Sequence, residues 1–117
     1  MTTLLVLYRR PEGGAEAQAT FERRYAAEHL PLVARTPGLR ETHVDRVVEA
    51  LGGETDLILA TSLRFDDRAA LDAGLASDAM RAAGRNLREI APGLATFLVL
   101  ETVPEMEAAA SPGVDTV

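Results

Sequence analysis

Acid–base chemistry in this chain would depend on His29 and His43, because cysteine is absent and histidine is the side chain that ordinarily titrates near neutral pH. Tyr25 precedes His29 by one helical turn, and Glu28 is its neighbour in the sequence. We predict that His29 is a general acid or base and that Tyr25 donates a hydrogen bond. Glu28 would orient His29 or act alone with a raised pKa. The alternative is that His29 satisfies a backbone carbonyl at a helix end and Tyr25 belongs to the core.

A second group of candidates lies at the end of the apolar segment 3–9. Side chains alternate between the two faces of a strand, so either Tyr8 or Arg9 should reach the mouth of a pocket. Arg9 could hold a carboxylate or enolate oxygen, or it could form a surface ion pair with Glu12 or the acidic second half. The predicted substrate-binding residues are Arg9, Tyr8, Phe21, Leu5, Leu7, Met80 and Leu87, with Leu71 as a further lining residue. We expect His43 to be exposed or at an interface.

The elements that must position these residues follow the order β-α-β-β-α-β. Strands are predicted over 3–9, 39–50, 56–65 and 94–103, and helices over 15–35 and from Asp66 or Asp67 to about residue 91. The second helical region should break near Ser77 and restart. This order predicts an α+β, ferredoxin-like βαββαβ fold, in which a four-stranded antiparallel sheet carries two helices on one face.

The first helix should present one stripe to the sheet. At 100° per residue, that stripe consists of Phe21, Tyr25 and Leu32, with Glu28 near its centre and His29 near its edge. Pro31 cannot donate to the carbonyl of Ala27, so we expect the helix to kink or restart there.

Few polar residues occur on either side of the first, third and fourth strands. The face without helices should therefore pack on the sheet of an identical subunit and form a symmetric homodimer. Residues 1–103 are predicted to form one domain, and residues 104–117 a flexible or dimer-contacting tail.

Composition excludes several classes of protein. The chain of 117 residues has no cysteine and a formal net charge of −6, and all 12 basic residues are arginine. Cysteine-ligated metal sites and thiol chemistry are excluded, and we expect no metal and no cofactor. An acidic chain does not suit nucleic acid. No apolar run approaches a membrane span, and the N-terminus lacks a signal peptide, so a cytoplasmic location is expected.

Four motifs together resemble the EthD family of the dimeric α/β-barrel superfamily: Leu7-Tyr8-Arg9-Arg10-Pro11, Phe21-x-x-x-Tyr25, His29-x-Pro31-Leu32 and Pro37-Gly38-Leu39. The resemblance covers residues 3 to about 102 and implies a barrel-like dimer with a pocket between helices and sheet in each subunit. It implies no defined reaction. Haem-degrading relatives use an Asn, Trp and His set, which the lone Asn86 does not supply.

Two functions remain open. One is a cofactor-free enzyme that catalyses isomerisation, cyclisation or elimination beside the carbonyl group of a small apolar compound. His29 would be the base, and Tyr25 and Arg9 would stabilise the oxyanion. The other is a non-catalytic dimer that binds a hydrophobic ligand or supports a partner enzyme. RNA binding is disfavoured, because the chain has few aromatic residues and an excess of negative charge.

Overall fold

A computed structural model describes residues 1–112 as one sheet with helices on one of its faces. The elements are β1 (Thr2–Arg9), α1 (Gly14–Arg24), a π-helix (Tyr25–His29), α2 (Leu30–Val33), β2 (Glu41–Arg46), β3 (Leu57–Phe65), α3 (Arg68–Leu75), α4 (Asp78–Ile90), β4 (Ala95–Glu101) and α5 (Pro104–Ala110). All neighbouring strands are antiparallel, in the order β2-β3-β1-β4. The predicted ferredoxin-like fold is confirmed.

Helix ends follow the capping residues in the sequence. The side chain of Asp67 accepts a hydrogen bond from the backbone N–H of Ala70 at 2.8 Å, and Ser77 accepts from that of Met80 at 3.2 Å. The break between α3 and α4 therefore lies where it was predicted. β2 is shorter than predicted, six residues instead of the span 39–50, because it is an edge strand that pairs with β3 alone.

The two faces of β1 differ in burial. Leu4, Val6 and Tyr8 are buried under the helices, whereas Leu5 and Leu7 on the other face are only half-buried. The sequence predicted burial on both faces, and a single subunit does not provide it. Opposite Leu5 on the same open face, β4 places Leu98 with 41% of its surface exposed.

A π-helix separates α1 from α2 and changes which side chains face the sheet. Phe21, Tyr25, His29 and Val33 are spaced four residues apart, and all are buried. In a regular α-helix each four-residue step would rotate the side chain by about 40°, or about 120° over three steps. The π turn contains one extra residue, which compensates for about 100° of that rotation. The stripe therefore stays on the sheet, and Pro31 is the second residue of α2, which begins where the π-helix ends.

The chain beyond β4 continues as α5, which has no buried residue. Residues 113–117 lie outside the described part of the chain, and contact of the predicted tail 104–117 with a partner stays a prediction. Within residues 1–112 the structure contains no helix whose length and apolar character would allow it to cross a membrane.

Candidate functional site

A cavity of about 300 Å³ lies between the helices and the sheet. Most of its wall is apolar, and its polar groups come from Tyr8, Tyr25, His29 and Thr61. The other lining residues are Leu4, Val6, Val33, Leu63, Leu75, Met80, Ala83, Gly84, Leu87, Phe97 and Val99. A few polar groups in an apolar wall are typical of a site for a small organic ligand.

Two tyrosines bring hydroxyl groups to this cavity. The Tyr25 hydroxyl lies 2.6 Å from Thr61 Oγ1, and the rings of Tyr8 and Tyr25 meet edge to face at 5.0 Å between centroids. Burial raises the pKa of both phenols, and for Tyr8 the adjacent Tyr25 raises it further. Both hydroxyls therefore stay protonated at neutral pH and can donate a hydrogen bond.

His29 stacks on Tyr25 at the same end of the cavity. Their ring centroids are 5.1 Å apart with an interplanar angle of 24°, and His29 is only 5% exposed. Burial lowers the pKa of His29, and the side chain of Asn86 and the carbonyl of Ala83 oppose part of that effect. The imidazole is therefore neutral at pH 7 and has a nitrogen that can accept a proton. Its Nδ1 is buried, and no atom of residues 1–112 forms a hydrogen bond with it.

Glu28 does not lie at the centre of the buried stripe, as the regular-helix projection predicted. The π turn rotates it toward the helix surface, where Arg24 binds its two carboxylate oxygens at 2.8 and 3.0 Å. Arg24, helped by Asn86, lowers the pKa of Glu28. The expectation that Glu28 acts alone with a raised pKa is therefore wrong, and its carboxylate is not part of the cavity wall.

The prediction that Leu5, Leu7 and Arg9 belong to the pocket is also wrong. Because side chains alternate along a strand, these residues point to the open face of the sheet, and Leu4, Val6 and Tyr8 line the cavity instead. The Arg9 guanidinium donates to Thr96 Oγ1 at 2.9 Å and to the carbonyl of Gly93. It thus connects β1 to β4, and within residues 1–112 it forms no ion pair with Glu12 or with an acidic residue of the second half.

The remaining predicted residues divide into core and cavity wall. Met80 and Leu87 line the cavity, whereas Phe21 and Leu71 are buried in the core and do not reach it. Thr61 is a cavity residue that the sequence reasoning missed. Its signal is a polar side chain on the otherwise apolar face of β3 that alternation assigns to the core.

The last two predictions concern His43 and the absence of a metal site. His43 lies on β2 with 57% of its side chain exposed and contacts Glu41 at 3.2 Å. In the described residues 1–112, no group of three or more histidine, aspartate or glutamate side chains is arranged to hold a metal ion.

Solved structures provide a comparison for the whole fold. An ethyl tert-butyl ether D (EthD) family protein from Bacillus halodurans C-125 is 30% identical, with a TM-score of 0.79 over 88% of this chain and 99% of that one. A dimeric ferredoxin-like protein of unknown function from Bacteroides fragilis is 20% identical, with a TM-score of 0.64 over 86% and 95%.

A third similar structure is SnoaB from Streptomyces nogalater, which is described as a cofactor-independent oxygenase. It is 18% identical, with a TM-score of 0.57 over 86% of this chain and 91% of that one. At that identity the likeness shows the fold alone. No protein-family model matches the chain, and no curated protein matches it significantly.

Proposed function

This chain belongs to the EthD family, and we propose that its cavity binds a small, largely apolar carbonyl compound and performs acid–base chemistry on it without a cofactor. The observation that carries this proposal is a buried His29 beside Tyr8, Tyr25 and Thr61 in an otherwise apolar cavity, where burial lowers the pKa of the imidazole. A cavity of about 300 Å³ is at the small end of the range for ligand sites and suits a compact molecule.

The proposed first step is removal of a proton from the carbon beside the carbonyl group. The C–H bond breaks, His29 takes the proton, and the electron pair moves onto the carbonyl oxygen to form an enolate. Tyr8 and Tyr25 are the hydrogen-bond donors for that oxygen, so Tyr25 keeps its predicted role and Tyr8 takes the one predicted for Arg9. Return of the proton to another atom completes an isomerisation, and loss of a leaving group completes an elimination.

The fold is compatible with chemistry of this kind. One similar structure, SnoaB, is described as a cofactor-independent oxygenase, so an enzyme of this architecture works without a cofactor. The low dielectric of an apolar cavity also strengthens the hydrogen bonds that the two phenols would make to an enolate. The alternative, a protein that binds such a ligand without reaction, uses the same cavity and differs only in what His29 does.

We also propose that the protein forms a homodimer through the open face of the sheet. Leu98 and Leu100 are 41% and 43% exposed there, beside the half-buried Leu5 and Leu7. Three similar structures are described as dimeric. Packing two such faces would bury this apolar surface and would cover β1 on both sides, as its sequence predicts.

The test uses 2-acetonaphthone, an apolar aromatic ketone whose fluorescence reports binding. Exchange of its methyl protons in D₂O is followed by ¹H NMR with the wild-type protein and with His29→Gln. General base catalysis contributes about 10²- to 10⁴-fold, so we expect His29→Gln to slow exchange at least about 100-fold while binding changes little.

Each outcome has a defined meaning. Binding of the ketone without faster exchange by the wild-type protein supports the non-catalytic alternative. Equal exchange rates for wild type and His29→Gln would refute the role of His29. Val48→Ala, in an exposed loop residue remote from the cavity, is the control and should behave as wild type.

A further inference from the structure

Behind His29, a chain of polar side chains joins the π-helix to α4. Arg24 binds both carboxylate oxygens of Glu28, at 2.8 and 3.0 Å, and also contacts Glu89 at 3.1 Å. Asn86 on α4 then donates from Nδ2 to Glu28 Oε1 at 3.0 Å. The carboxylate of Glu28 is therefore held in place from two sides, by a guanidinium and by an amide.

This arrangement determines the orientation of the Asn86 amide. An ionised carboxylate can only accept hydrogen bonds, and Arg24 keeps Glu28 ionised by lowering its pKa. The NH₂ group of Asn86 must therefore face Glu28, and its Oδ1 must point the other way. That oxygen is buried and has no hydrogen-bond partner in the described part of the chain.

His29 Nδ1 is the complementary atom. Among residues 1–112 it too is buried without a partner, and from α4 both the side chain of Asn86 and the carbonyl of Ala83 act on the imidazole. An unpaired buried polar atom is costly, and of these two acceptors only Asn86 Oδ1 would itself be satisfied by a hydrogen bond from Nδ1–H. The opposite tautomer would place two lone pairs against each other.

We propose that Asn86 is a positioning residue, which accepts a hydrogen bond from His29 Nδ1–H and so keeps Nε2 as the ring nitrogen with a free lone pair. Glu28 and Arg24 act through Asn86 by preventing its amide from turning over. The catalytic meaning of this tautomer rests on the proposed function, but the tautomer itself does not depend on any reaction.

The test is the tautomer of His29 in the folded protein, read from the ¹⁵N chemical shifts and long-range ¹H–¹⁵N correlations of its ring at pH 7.5. We expect the Nδ1–H form to exceed the Nε2–H form by about tenfold in the wild-type protein, the ratio that one hydrogen bond supplies. Asn86→Leu should shift the population toward Nε2–H. The proposal would be overturned if His29 of the wild-type protein were mainly in the Nε2–H form. It would also be overturned if folded Asn86→Leu had the same tautomer population as wild type.

Two variants of the surface carboxylates make the test specific. Glu28→Gln can donate as well as accept, so the Asn86 amide is free to turn over and we expect a mixture of tautomers. Glu89→Gln removes the other carboxylate on Arg24 without touching Asn86, and it should keep the wild-type tautomer. Glu28 is half-exposed and Glu89 is exposed, so we expect both variants to fold. They can therefore test the proposal even if Asn86→Leu does not fold.

The ketone exchange assay separates this proposal from the proposed function. If the site is catalytic, Asn86→Leu should slow exchange about tenfold with unchanged binding of 2-acetonaphthone. If no exchange occurs in any variant, the proposed function fails while the tautomer result still stands. If exchange depends on His29 but the tautomer of His29 is the same in wild type and Asn86→Leu, only the positioning role of Asn86 is refuted.

Discussion

Gly84 connects the stability of α4 with the size of the cavity. It lies in the middle of the helix and lines the cavity, and a Cβ atom there would meet nothing nearer than Arg88 Nη1 at 3.6 Å. Glycine in a helix interior costs about 1 kcal/mol relative to alanine. We therefore predict that Gly84→Ala raises the free energy of unfolding by about 1 kcal/mol and Tm by roughly 4 °C.

The same substitution at Gly74 should have the opposite effect. A Cβ atom there would lie 2.9 Å from Phe65 Cε1 and 3.0 Å from Thr36 Cγ2. Phe65 is fully buried and cannot move aside. Overpacking costs about 1–3 kcal/mol, which exceeds the gain in helix propensity, so the expected net loss is up to about 2 kcal/mol.

Urea unfolding followed by circular dichroism, at one protein concentration for all variants, measures both changes. A neutral or destabilising Gly84→Ala would refute the reasoning, because it would mean that the helix is not open toward the cavity at that position. Gly84→Leu extends the test, since its side chain would occupy the cavity and weaken 2-acetonaphthone binding at least about tenfold.

Three further predictions address His29, the sheet face and Arg9. Burial depresses the folded pKa of His29, so the unfolded chain binds more protons below about pH 6.5, the ordinary pKa of a histidine side chain. Thermal scans should therefore show stability falling as pH drops from 7.5 to 5.5, and less steeply in His29→Gln. Equal slopes in the two proteins would contradict this. In analytical ultracentrifugation, Leu98→Asp should weaken dimerisation at least about 100-fold, whereas Val48→Asp in an exposed loop should not, because only Leu98 would bury a charge. Retained dimers of Leu98→Asp would exclude this face. Arg9→Met should leave the Kd for 2-acetonaphthone, measured by fluorescence, within about twofold of the wild-type value, because Arg9 lies on the open face of the sheet. A large loss of affinity would mean that Arg9 contacts the ligand.

Local signals in the sequence predicted the fold well. Apolar segments and breakers identified all four strands, and Asp67 and Ser77 marked the starts of α3 and α4 because their side chains accept hydrogen bonds from the first turn of each helix. Such signals act over a few residues and need no knowledge of tertiary structure. The ends of β2 were missed, since pairing with β3 alone determines where that edge strand stops.

The site was predicted less well, because it depends on geometry between elements. Tyr25 and His29 were identified by their types and spacing, but the π turn could not be seen in a projection at 100° per residue. That single assumption placed Glu28 at the centre of the stripe and His29 at its edge. Asn86 contacts the site only across two helices, so its position in the sequence carried no signal for it.

The π turn has a consequence for how the chain tolerates a change of length. It holds one residue more than the α-helical turn it replaces, so insertion or deletion of a single codon between Tyr25 and His29 would convert one into the other. Deletion of Ala27 would leave His29 three residues after Tyr25, and in a regular α-helix side chains at that spacing lie on the same face. The residues that follow would keep their direction toward the sheet, whereas the same deletion within the regular helix α4 would rotate the following residues by about 100°.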